Sequence, residues 1–186
     1  MHKQEILFDM HKLQKQAAYL TFGLMAAASF VYFMIHGMEI YITLTGCTVF
    51  LLLTGLGIIL HEFLHGIGFI CFGKVRLNEV KYGILWKQGV AYAHCQVPIK
   101  LRAYRIALLL PVMLTGLIPL LIAYIIGNGM LLTVSVILTA GGIGDWLVFR
   151  SLMKYDANQQ VLDHPTKVGY FIYTNTSKSE EKEKTT

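Results

Sequence analysis

Charged residues are scarce in this 186-residue sequence: they make up 15% of it, whereas an ordinary soluble domain carries about 25%. Apolar residues make up 55%, so a soluble chain of this composition would lack the polar residues that cover a surface. Cysteine is scarce as well. Cys47, Cys71 and Cys95 form no C-x-x-C pair, which argues against a disulfide scaffold or a cysteine-based zinc ribbon. The composition therefore predicts a membrane protein rather than a cytosolic enzyme.

Four apolar stretches lie at about residues 18–36, 40–72, 106–126 and 130–149. A membrane span needs about 20 such residues, so the second stretch must tilt or emerge from the bilayer. We expect an all-α multi-pass membrane bundle of about four transmembrane helices, forming one domain over residues 1–173. Residues 1–16 are predicted to be an amphipathic lead before a retained first span, and the polar tail 174–186 to be disordered.

Basic residues are absent from the two short connections, at 37–39 and 127–129. All sixteen lysines and arginines lie before the first span, between the second and third, or after the fourth. The positive-inside rule then predicts a cell-membrane protein with both termini and the middle loop in the cytosol. Because topology accounts for the net charge of +5, no nucleic-acid partner is predicted.

The middle loop carries a pattern typical of a small cytosolic β-hairpin at residues 78–98. Residues 80–86 and 90–97 are rich in Val, Tyr, Ile and Trp, and they flank the turn Lys87-Gln88-Gly89. Residues 168–173 are expected to form one more strand.

The second span contains His61-Glu62-Phe63-Leu64-His65, an H-E-x-x-H motif. On a helix, positions i and i+4 share a face, so both imidazoles can reach one zinc ion. Zn²⁺ lowers the pKa of a bound water, and Glu62 is placed to take its proton. The alternative is that these side chains form a buried polar network that helps the helices to pack.

A catalytic zinc site needs a third protein ligand, and Asp145 is the second acidic residue within a span. Counted from the outer ends of their spans, His61 lies about 30 Å deep and Asp145 about 22 Å. A tilted second span brings them to similar depth, near the cytosolic side. The alternative for Asp145 is a helix-end residue paired with Arg150.

Other candidates remain open. His94 and Cys95 are either metal ligands, groups that occlude the site, or surface residues. Pro111 and Pro119 either line a cavity or are simple packing kinks. For Asp163-His164-Pro165 we expect a structural turn.

These elements together resemble the DUF3267 family of zincin peptidases, multi-pass bacterial proteins similar in plan to the site-2 intramembrane proteases. The resemblance spans residues 15–173. Its motifs are H-E-x-x-H at His61–His65, His94-Cys95, Gly144-Asp145 and Asp163-His164-Pro165. It implies His61, His65 and Asp145 as zinc ligands and Glu62 as catalytic base. Gly144-Asp145-Trp146 stands where site-2 proteases carry N-x-x-P-x-x-x-x-D-G, so the resemblance carries over the metal ligation but not the way in which those proteases clamp a substrate.

The sequence thus predicts a membrane zinc metalloprotease that cleaves a membrane protein or peptide near the cytosolic face. The rival is a non-catalytic membrane scaffold or regulator with a structural or vestigial zinc site, closed by Cys95 or His94 as a fourth ligand. A transporter is a weaker third interpretation, since four spans without a repeated half offer little pathway.

Overall fold

The computed structural model describes residues 2–37, 43–86 and 89–174, and most of them are helical. Within these described residues six α-helices follow one another: α1 (Met10–His36), α2 (Leu44–Gly73), α3 (Leu101–Pro111), α4 (Ile118–Ile126), α5 (Gly129–Gly141) and α6 (Ile143–Leu152). A π-helical turn, Val112–Leu117, joins α3 to α4 without a break. The predicted tail 174–186 lies outside the described residues except for Thr174.

Three of these helical stretches are long and apolar enough to cross a membrane: Met10–His36, Leu44–Gly73 and Leu101–Ile126. Helices α5 and α6 are bent by 41° relative to each other at Gly142. Counted together as one broken span, they bring the number of membrane-length spans to four. Helix α1 begins eight residues before the predicted span, because the Asp9 side chain accepts hydrogen bonds from the backbone of His11 and Lys12.

The outward faces of α1 and α2 are covered with apolar side chains. Phe22 is 76% exposed and Leu44 87% exposed, which suits contact with lipid better than with water. All buried residues of α2 lie between His61 and Phe69. The second half of α2 is therefore enclosed by protein, chiefly by α3, while its first half is mostly exposed and meets α5 at Gly57.

The predicted all-α fold with a single hairpin is incomplete, because the structure also contains a four-stranded antiparallel sheet. Its strand order is β1 (His2–Leu7), β6 (Gly169–Thr174), β5 (Gln160–Asp163) and β4 (Ile99–Lys100). The strand expected at 168–173 is β6. The other three strands were not predicted, because they are short and find their partners far away in the sequence.

The predicted hairpin is present as β2 (Val80–Leu85) and β3 (Val90–Cys95), and it packs against α2. The backbone N–H of Gln96 donates to Glu79 just beyond the paired strands. Hydrogen bonds alternate along an antiparallel pair, so Tyr92 and His94 also face β2. The backbone groups of the intervening residues, Ala91, Ala93 and Cys95, face outward from β3.

The main apolar core lies where the end of α2, the start of α3, the end of α6 and the four-stranded sheet meet. Its fully buried side chains include Phe69, Cys95, Leu101, Leu152 and Tyr170. This core fixes the hairpin and α3 against the half of α2 that carries His61 and His65.

Candidate metal centre

His61 and His65 lie one turn apart on the buried face of α2, with 7% and 5% of their surfaces exposed. Their rings meet edge to face, with centroids 5.1 Å apart. The spacing of four residues therefore brings both imidazoles to the same place, as the motif predicts.

The ring of His65 is oriented by the backbone of α3. Its Nδ1 lies 2.9 Å from the carbonyl oxygen of Ala107, and a carbonyl only accepts, so Nδ1 is the protonated nitrogen. This approach depends on Gly68, because a Cβ there would lie 2.6 Å from the Ala107 Cα. Nε2 of neutral His65 consequently carries a free lone pair.

The ring of His61 is oriented by Thr115 in the π-helical turn. The Thr115 hydroxyl donates its hydrogen to the carbonyl of Pro111 at 2.8 Å. Its oxygen therefore accepts from Nδ1 of His61, 3.2 Å away. Pro111 and the wider π turn together place Thr115 at this depth, and such turns occur often at functional sites. Nε2 of neutral His61 is again left with a lone pair.

Asp145 lies in the first turn of α6, immediately after the bend at Gly142. Its Oδ2 is 3.0 Å from Nε2 of His61, and its Oδ1 is 3.3 Å from Nε2 of His65. The carboxylate thus pairs with the two imidazoles rather than with Arg150. Gly142 lets the bend pack closely against the π turn, since a Cβ there would lie 2.6 Å from the Val112 side chain.

The three side chains have the donor set and spacing of a zinc site. Their ligand atoms all lie within 4.8 Å of one another. Tetrahedral zinc with ligands at about 2.0–2.2 Å separates neighbouring ligand atoms by about 3.4 Å, close to the two His–Asp distances. Moreover, two imidazole lone pairs facing a carboxylate repel it unless a cation or an added proton lies between them. A metal ion satisfies all three groups.

Glu62 stands beside this group but outside it. The side chain is half-buried, and the outward N–H of Ala93 in β3 faces its carboxylate. The Glu62 carboxylate lies on the same helical turn as both histidines, and its role as catalytic base stays a prediction.

His94 and Cys95 do not join the site. Cys95 is buried, its N–H donates to Asp163 at 2.7 Å and its thiol to Val97. His94 lies 3.9 Å from the same Asp163 carboxylate. Among the residues that the structure describes, no fourth His, Cys, Asp or Glu completes a closed ligand set around His61, His65 and Asp145.

Sequence reasoning missed the groups that orient the two rings. Thr115 is four residues after Pro111 within an apolar span, and a hydroxyl next to a proline kink is the signal that could have marked it. The Ala107 carbonyl leaves no trace in the sequence, because every residue has one.

Residues 54–159, which include His61, Glu62, His65 and Asp145, match a family model described as "Putative zincin peptidase". The chain belongs to the DUF3267 family. The match covers more than half of the sequence and confirms the resemblance to this family. Membership supports a metallopeptidase and implies zinc. Comparison with curated proteins and with solved structures returns no match.

Proposed function

We propose that this DUF3267 protein is an integral-membrane zinc metallopeptidase that hydrolyses a peptide bond of a membrane-associated protein. The observation that carries the proposal is the paired orientation of His61 and His65. Each Nδ1 is held by an acceptor on the chain, so each Nε2 is presented with its lone pair towards Asp145. Outer partners of this kind are characteristic of metal-binding histidines.

His61, His65 and Asp145 would hold the zinc ion, which supplies a Lewis acid and a water of lowered pKa when bound. Glu62 takes the proton of the attacking water and returns it to the leaving amine. The three-ligand set leaves a fourth position open, as catalytic zinc sites do. This openness favours a peptidase over the structural-site alternative, which requires a fourth protein ligand.

We expect the metal site to lie within a lipid bilayer. Exposed apolar faces on α1 and α2 suit lipid contact, and the distribution of basic residues would place both termini and the hairpin in the cytosol. Under that topology the metal centre lies near the cytosolic face, since His61 is in the second half of α2. A substrate helix must unwind there before its backbone can be attacked.

The outward edge of β3 is suited to receive the unwound segment. The N–H of Ala93 faces Glu62, and the N–H of Ala91 faces the same way two residues earlier. An extended peptide that pairs with this edge runs beside Glu62 and the three ligands. Backbone pairing of this type places a peptide bond without demanding a particular side chain.

Proline substitution tests this edge with a matched control. Ala91 and Ile84 face each other across the hairpin, and their N–H groups point to opposite edges. Ala91→Pro removes an N–H from the edge facing α2, whereas Ile84→Pro removes one from the far edge. We expect Ala91→Pro alone to slow cleavage of labelled β-casein while zinc content stays unchanged. Equal cleavage rates in the two variants would contradict substrate pairing at β3.

The main experiment measures zinc per chain in detergent-purified protein and cleavage of β-casein. Wild type should bind about one zinc, His65→Ala and Asp145→Ala should lose it, and Glu62→Gln should keep it but lose activity. His94→Ala is the control, since His94 lies outside the site. If the zinc-loaded Glu62→Gln variant kept the activity of the zinc-loaded wild type, the proposed peptidase function would be overturned and the scaffold favoured.

A further inference from the structure

Tyr82 of β2 places its hydroxyl directly on α2. The hydroxyl rests against Gly66, where any Cβ would overlap both the oxygen and the ring. Gly66 follows Glu62 by four residues, so the two positions lie on the same side of the helix, about 5–6 Å apart. The missing side chain at Gly66 therefore creates the space through which a phenol reaches the side of α2 that carries Glu62.

The Tyr82 hydroxyl has no hydrogen-bond partner among the residues that the structure describes. It differs in this respect from the other polar groups around the centre. Thr115 donates to Pro111, both Nδ1 atoms donate to chain acceptors, and the Ala93 N–H faces Glu62. Of the donors named here, the phenol is the one whose hydrogen is not already used.

The surroundings keep this donor protonated and accessible. Burial, and then the negative charge of Glu62, raise the pKa of Tyr82 above its ordinary value, so the hydroxyl holds its proton at neutral pH. The residue is nevertheless 44% exposed, which leaves a path for a peptide to reach it. Ala93 is the cross-strand partner of Tyr82, so the Tyr82 side chain leaves the hairpin on the same face as that of Ala93, the residue whose outer edge would border a paired peptide.

Addition of water to a peptide carbonyl turns its oxygen into an anion, and a donor fixed in advance stabilises that charge. We propose that the Tyr82 hydroxyl donates a hydrogen bond to the carbonyl oxygen of the scissile peptide bond and is a catalytic residue. The inference rests on the proposed function. The water oxygen bonds to the carbonyl carbon, the C–N bond breaks, and the proton passes through Glu62 to the amine. Tyr82 retains its proton throughout.

Tyr82→Phe tests the role, because phenylalanine keeps the ring against Gly66 and removes the hydroxyl. In zinc-loaded protein in detergent, we expect kcat for fluorescently labelled β-casein to fall by about 10²-fold, as for the loss of one such donor elsewhere. KM, zinc content and melting temperature should stay unchanged. Tyr92→Phe is the matched control, since Tyr92 packs over Gly83 on the opposite face of the hairpin and should keep full activity.

A second readout separates chemistry from binding. The Kd of labelled β-casein for metal-free Glu62→Gln protein should be the same with and without Tyr82→Phe, because the hydroxyl acts only once the oxygen is charged. Cleavage by Tyr82→Phe within twofold of wild type, or a loss confined to KM or to zinc content, would overturn the catalytic role alone. A zinc-loaded wild type that leaves β-casein intact would overturn the proposed function and this role with it.

Discussion

Replacing Thr115 by valine should weaken zinc binding without unfolding the protein. Valine has nearly the same shape as threonine, so the π-helical turn keeps its packing while the hydroxyl disappears. The hydroxyl is the acceptor that holds the Nδ1 proton of His61, 3.2 Å away in a buried position. Metal binding through Nε2 requires that proton to be on Nδ1.

The size of the loss in zinc affinity depends on whether the missing His61–Thr115 hydrogen bond destabilises the metal-free or the metal-bound protein. Without metal, His61 in the variant can move its proton to Nε2 and pair with Asp145, 3.0 Å away, so little stability is lost. With metal, the Nδ1 proton is left without an acceptor, which costs about 1–3 kcal/mol. This corresponds to a zinc Kd about 5- to 150-fold weaker, which spans the roughly 10- to 100-fold loss seen for other outer partners of metal ligands.

The assay is competition for zinc between the metal-free protein in detergent and a chelating dye. Thr133→Val is the control, because Thr133 donates to its i−4 carbonyl in the same way but lies in α5 away from the site. We expect the control to bind zinc like wild type. A Thr115→Val protein with an unchanged zinc Kd would refute the claim that Thr115 selects the tautomer of His61.

Three further predictions concern the packing around the site. Gly68→Ala places a Cβ against Ala107 and should lower the free energy of unfolding by about 1–3 kcal/mol, whereas Gly55→Ala, with open space around it, should not; thermal melts in detergent measure both. Burial raises the pKa of the Asp163 carboxyl in the folded protein, so protonation of this carboxyl stabilises the folded state. This stabilisation is fully present below the ordinary pKa of an aspartate and is lost as the pH rises through the raised pKa. The melting temperature of wild type relative to Asp163→Asn should therefore fall from about pH 4 to about pH 8, and a constant difference would contradict the assignment. Burial raises the pKa of the Cys95 thiol to about 11, so iodoacetamide at about pH 8 should label it only after denaturation, and mass spectrometry would reveal any earlier labelling.

The long helices and the hairpin could be predicted because their signals are local. Apolar runs of membrane length and alternating strands around a glycine turn are visible within a single stretch of sequence. The four-stranded sheet is not a local feature. Strand β1 contains Lys3 and Glu5 and is held by pairing with β6 near residue 170, and β4 is two residues long. Neither strand has a pattern of its own strong enough to predict.

The residues of the candidate site likewise fall into those with a local signal in the sequence and those whose place depends on distant contacts. His61, Glu62 and His65 form a motif within five residues, and Asp145 could be found because few acidic residues lie in the spans. The Ala107 carbonyl was beyond prediction, since its approach depends on Gly68, whereas Thr115 carried a signal in its spacing from Pro111 that was not used. Cys95 was expected at the surface or at the metal, yet it is buried beside Asp163, because the sheet that covers it was not foreseen.

The order in which a ribosome makes this chain has a consequence for the peptidase. Asp145 follows His61 by 84 residues, which takes roughly 4–17 s at ordinary rates of synthesis. Thr115 and Ala107, which orient the rings, also emerge after the histidines. While the chain is being made, α2 therefore carries two histidines of unfixed tautomer and no carboxylate partner. We expect the nascent protein to retain no zinc and to be unable to cut its neighbours until Asp145 of α6 has reached the two histidines.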